Sequence, residues 1–152
     1  MIVELFFAAG VIKAMEGRFN GYWFLAWPGT IVHELLHWVT AVVLGGRPTA
    51  ISVVPDGIAG NSECRNLGYV RLSNINWFNA APIALAPMLA LPMVLVVANG
   101  MTGPIDWVML AVLSSVLSQC FPSQADLGIA FHSAFGVLFW ILVVGATVYH
   151  YF

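Results

Sequence analysis

Apolar positions along the chain gather into long runs separated by short polar breaks, and four of these runs stand out. Residues 22–44 (YWFLAWPGTIVHELLHWVTAVVL) predict a helix about 34 Å long at 1.5 Å per residue, enough to cross a bilayer. Residues 77–98 predict a second helix, kinked by Pro82, Pro87 and Pro92 and packed against protein, where freed backbone groups find partners. Residues 105–121 predict a third, stopped by Pro122, and residues 127–152 a fourth. The opening segment, residues 2–15, is short for a span and contains Glu4 and Lys13; it reads as a fifth helix or an interfacial one. Between the first two strong runs the texture changes. Residues 49–54 (TAISVV) and 67–72 (LGYVRL) are strand-like runs around PDGIAGNSECRN, which is rich in turn formers, and they predict a small β-hairpin. An ordinary loop capping the bundle would have the same composition.

Composition sets the solvent. The 152 residues are 61% hydrophobic and 8% charged, whereas a soluble domain carries about 25% charged residues. Such a chain could not cover its own surface in water, so the expectation is an all-α membrane protein of one domain, residues 1–152. Its length suits a polytopic bundle of about four to five transmembrane helices, with the hairpin of residues 46–76 between the first strong span (21–45) and the next. The lipid bilayer is then its main partner. A net charge of −2 and the lack of a basic tract exclude nucleic-acid binding. Cys64 and Cys120 are too few for a disulfide framework and lack metal-site spacing. Glu4 stands where a signal peptide would be basic, and no clear cleavage site follows. Trp23, Trp27, Trp77 and Trp107 lie near segment ends, as an aromatic belt would place them; Trp38 and Trp140 do not. Arg47, Arg65 and Arg71 favour a cytoplasmic 46–76 loop in a multi-pass protein of the cell membrane.

Against this apolar background, PGTIVHELLHWVTAVVLGG (28–46) carries a polar stripe. On a helix His33 and His37 lie one turn apart on one face with Glu34 beside them, and Thr30 and Thr40 share that face. His-Glu-x-x-His on a helix is a zinc-hydrolase signature, in which two imidazoles converge on one metal and the glutamate serves a water as base. Ionisable residues at membrane depth are rare and functional by default. The plainer alternative is a helix–helix hydrogen-bond network without metal. A catalytic zinc site needs a third protein ligand, and the candidates are few. Asp56 and Glu63 belong to the polar loop, Asp106 opens a helix, His150 is nearly terminal, and His132 fits a hydrogen-bonded bundle residue. Asp126, in SQCFPSQADLG at a break between apolar runs, is preferred, although Ser123 with Asp126 also fits a capping pair opening the last helix.

These pieces resemble the site-2 protease-like intramembrane zinc metalloproteases, especially their small, minimal members. The resemblance rests on PGTIVHELLHWVTAVVLGG, on NAAPIALAP in the second run and on QCFPSQADLG after the third, spread through most of residues 28–128. It implies zinc held by His33, His37 and Asp126, with Glu34 as the catalytic base and transmembrane proteins or peptides as substrates. The family commonly has Asn-x-x-Pro before Asp-Gly; here Gln119 replaces the asparagine and Asp126-Leu127-Gly128 replaces Asp-Gly. Gln119 is therefore the candidate for the substrate-orienting role. The family's β-rich loop also resembles residues 47–72. The rival from another class is a non-proteolytic metal-binding membrane protein, a transporter or a degenerate protease scaffold. A transporter would favour repeated halves, and a degenerate protease would be expected to lose Glu34. A soluble zincin fails on composition.

Overall fold

The apolar runs fold as helices and the turn-rich interruption is flanked by two paired strands. The computed structural model describes residues 2–16, 18, 21–54, 67–100, 107–132 and 134–151. In chain order these form α1 (Ile2–Ala14), α2 (Tyr22–Val43), β1 (Pro48–Ser52), β2 (Tyr69–Leu72), α3 (Ala80–Leu85), a 3₁₀ turn (Ala86–Leu89), α4 (Ala90–Gly100), α5 (Trp107–Ser118), α6 (Gln124–Ala130) and α7 (Ala134–Tyr151). The protein is mostly helical, with one small antiparallel sheet pairing Ala50 with Arg71, Ile51 with Val70 and Ser52 with Tyr69. Asp56, Glu63, Cys64, Arg65 and Asp106 lie outside the described residues.

Three expected spans differ in form. The second is not one regular helix: α3, the 3₁₀ turn and α4 run consecutively from Ala80 to Gly100, broken where Pro87 enters. This is the one helix among the described residues long and apolar enough to cross a membrane. The third, α5, has 12 described residues, about 18 Å at 1.5 Å per residue, and ends at Ser118 rather than at Pro122; the start of that expected span lies outside the described residues. The fourth is two helices rather than one: α6 and α7 meet at 87°. Trp140 in α7 explains part of that bend, because its indole N–H donates to the Phe78 carbonyl at 2.6 Å. Phe139 and Trp140 also pack against the Phe78 ring just before α3. α2 is long enough to span, but its polar stripe lowers its apolarity.

The apolar core lies between α1, α4 and α5, built from Leu5, Ala9, Val94, Ala98, Leu113, Val116 and Leu117. α2 docks on α5 through small residues. The Gly29 N–H donates to Ser115 Oγ at 2.9 Å, and a Cβ on Gly29 would collide with the Ser115 carbonyl. Such close backbone approach is what small residues permit between helices in a bundle. At the other end of α2, Asn79 is fully buried. Its Nδ2 donates to Asn74 O at 2.9 Å and Leu44 O at 3.4 Å, while its Oδ1 accepts from the Asn76 N–H at 2.8 Å. That one amide ties the end of α2, the segment after β2 and the start of α3 together. The indole of Trp27 donates to Val53 O at 2.9 Å and holds the hairpin over α2.

If the α2–α5 contact is as tight as this, Gly29→Ala should cost about 1–3 kcal/mol through overpacking. Gly128→Ala, whose added methyl meets nothing within 4 Å, should cost far less. Denaturant unfolding of both variants in detergent measures the difference.

Candidate metal centre

α2 presents His33 and His37 one turn apart, and each imidazole is turned by a main-chain carbonyl from another segment. His33 Nδ1 lies 2.7 Å from Gln119 O at the end of α5, and His37 Nδ1 lies 2.7 Å from Ile83 O in α3. A carbonyl oxygen only accepts, so both Nδ1 atoms carry the proton and donate. In the neutral rings each Nε2 is then left with a lone pair. The two Nε2 atoms face each other at 3.1 Å. Asp126 completes the group, with Oδ2 at 3.5 Å from His33 Nε2 and Oδ1 at 3.3 Å from His37 Nε2. The three side chains form a group that could hold a metal ion.

Electrostatics favours the same conclusion. Two lone pairs and a carboxylate pointed at one spot repel unless a cation lies among them. A proton satisfies one pair of donors at a time, whereas a metal ion uses all three. For a tetrahedral ion with bonds of about 2.0–2.1 Å, ligand atoms sit roughly 3.3 Å apart. The two Nε2 atoms stand 3.1 Å apart, and the carboxylate comes within 3.3 Å of one and 3.5 Å of the other through different oxygens, near that spacing. Imidazole and carboxylate donors suit a first-row divalent ion. The carbonyls behind the imidazoles are the outer partners that metal-ligating histidines usually have.

Asp126 reaches this spot because α5 ends at Ser118, ahead of Pro122, and α6 opens with a capping box. The Ser123 N–H donates to Asp126 Oδ2 at 2.7 Å, and the Asp126 N–H donates to Ser123 Oγ at 3.1 Å. The cap and the ligand position are therefore compatible: one carboxylate serves both. Of the alternatives among the described residues, His132 lies apart from the three-residue group and is exposed beside Ile75 and Ile129, and His150 is exposed near the end of α7.

Glu34 is buried, and it lines the same cleft of about 670 Å³ as His33, His37 and Asp126. Leu67, Gly68, Tyr69 and Val70 form another wall. Gly68 packs directly on Glu34, where a Cβ would lie 2.8 Å from Glu34 Cγ and 2.9 Å from Oε1. Thr30 lines the cleft and its hydroxyl donates to Ala26 O at 3.1 Å. Lys13 and Glu16, paired at 2.6 Å, contribute from the α1 end. Gln119 acts in two ways that the sequence did not reveal. Its main chain orients His33, and its side-chain amide donates to the Tyr22 hydroxyl at 2.7 Å while lining the cleft. Ile83 and Gly68 were missed as well, the first because it acts through a carbonyl, the second through having no side chain.

Comparison with protein-family models, curated proteins and solved structures finds no match to this chain. The reading of the site therefore rests on its own geometry.

Asp126→Asn keeps the size of the side chain and an oxygen for the Ser123 N–H, but removes the anion facing the two imidazoles. Metal affinity should fall at least as far as the 10- to 100-fold typical of losing an outer-shell partner. His132→Ala is the matched control and should keep its metal. Equilibrium dialysis against a buffered zinc series reads both; an empty His132→Ala site with a loaded Asp126→Asn site would reverse the assignment.

Proposed function

We propose that this protein is an intramembrane zinc metalloprotease that hydrolyses peptide bonds of transmembrane substrates. The observation that carries the reading is the joint placement of an ion-ready His33–His37–Asp126 group and a buried glutamate in one cleft. A site that only stores or passes metal has no need of Glu34, since ligation does not use it. Here it stands on the residue after His33, held against Gly68.

The bilayer as solvent is supported by what the surface shows. Phe7, Phe24, Val43, Val96, Trp107 and Leu142 are each at least 65% exposed, while Glu34, His37, Asn79 and four Ser or Thr side chains are buried. These exposed side chains stand on α1, α2, α4, α5 and α7, an arrangement that suits an apolar solvent. A multi-pass arrangement follows if α2 crosses beside Ala80–Gly100 and the bent α6–α7 pair forms a broken span, with the 46–76 loop facing the cytoplasm.

Zinc, when bound, supplies Lewis acidity, lowering the pKa of water toward about 7 and polarising a carbonyl. His33, His37 and Asp126, which line the cleft, would hold it. Glu34 takes the proton of the attacking water and passes it to the leaving amine. Gly68, having no side chain, leaves room for that carboxylate beneath the hairpin. A helical substrate presents no free backbone, so it must unwind before it can be cut. β2 lines the cleft and β1 does not. β2 pairs with β1 along one edge only, and its other edge is suited to pair with an unwound substrate segment by strand addition.

Glu34→Gln should abolish proteolysis in a purified, reconstituted assay and leave zinc near one ion per chain. Cleavage retained by that variant would sink the mechanism. The role of β2 is read separately. Val70→Pro should slow cleavage of a folded transmembrane substrate more than that of a flexible peptide carrying the same bond. Equal losses on both substrates would leave the hairpin a passive cover.

A further inference from the structure

The carbonyls that orient the two imidazoles are free for a reason written in the sequence. In an α-helix the carbonyl of residue 83 would accept from the N–H of residue 87. Residue 87 is proline and has none. Ile83 O instead takes a tighter bond from the Ala86 N–H, the chain passes into the 3₁₀ turn Ala86–Leu89, and the remaining lone pair meets His37 Nδ1 at 2.7 Å.

The same device occurs once more, at Pro82, and a related one frees Gln119 O beyond the end of α5. Pro82 leaves Phe78 O, four residues earlier, to accept the Trp140 indole at 2.6 Å. Gln119 O, which accepts from His33, is followed at three residues by Pro122 and at four by Ser123, whose N–H is given to Asp126. Freed carbonyls in a membrane helix are satisfied by neighbouring groups, and here two of the three neighbours are the metal-ligand histidines.

We infer that Pro87 is a positioning residue of the metal centre: by withholding an N–H from Ile83 it reserves that carbonyl for His37 and fixes which imidazole nitrogen faces the ion. The inference rests on the metal-centre reading but not on proteolysis. Pro87 touches neither ion nor substrate. Its effect runs through one hydrogen bond, so it should follow the N–H at position 87 rather than the proline ring.

The test compares zinc affinity in detergent for the wild type, Pro87→Ala, Pro82→Ala and a chain with lactic acid in place of Pro87. Lactic acid has alanine's methyl group but an ester oxygen where the N–H would be. Pro87→Ala should lose about 10- to 100-fold in affinity, the scale of a lost outer-shell partner. In the zinc-loaded protein its His37 Nδ1–H should also exchange faster with water by NMR. The lactic-acid chain should recover wild-type affinity and a protected Nδ1–H. Pro82→Ala, which returns an N–H to Phe78 instead, should leave both unchanged. Wild-type affinity and protection in Pro87→Ala overturn the inference. So does a lactic-acid chain as weak as Pro87→Ala, since the ring would then be what matters. If Pro87→Ala does not fold, the lactic-acid chain against the wild type decides alone. A wild-type protein that takes up no zinc overturns the metal centre itself, and the inference with it.

Discussion

Two short N–H to carbonyl bonds, His33 to Gln119 and His37 to Ile83, determine what the rest of the site can be. They settle the tautomer of both rings, and the tautomer aims both free lone pairs at the same place. Without them an imidazole on α2 could turn its Nδ1 inward or hydrogen-bond to its neighbour, and the polar stripe would be an interhelical network. With them the site has a cation-shaped need. Asp126 meets that need from the far side, delivered by a helix start that its own carboxylate stabilises.

The surrounding fold keeps these three donors in register. Gly29 lets α2 and α5 approach until a backbone amide reaches Ser115, which fixes the depth of His33 against Gln119. Asn79 binds the end of α2 to the start of α3 and so holds Ile83 beside His37. Trp27 and Gly68 set the height of the hairpin above Glu34. Each of these is a hydrogen bond or a missing methyl group, not a large apolar contact. Such contacts fix register more sharply than apolar packing does, because a hydrogen bond has a direction.

How much of this could be read from the sequence depended on whether side chains or backbone carried the information. The i, i+4 spacing of His33 and His37 is a property of any helix, so the stripe was legible. So were the strand-like runs that became β1 and β2, and the approach of Asp126 to the two histidines. The angle between α6 and α7 was not, because residues 127–152 are evenly apolar and the Trp140–Phe78 bond that helps fix α7 is made to a distant segment. Gln119 was read through its side chain, which does line the cleft; the part its carbonyl plays at His33 was not legible. The prolines marked helix breaks, but what a break releases is a backbone acceptor, and nothing in a residue's identity says which side chain will find it.

The ligands of the centre come from α2 and α6, segments far apart in the chain. An ion between them is therefore a reversible cross-link that only the folded state can make. Whatever binds the native form alone stabilises it by mass action. If the centre takes up an ion, the lifetime of the protein is tied to the supply of that ion: starved chains would open and be cleared sooner than loaded ones.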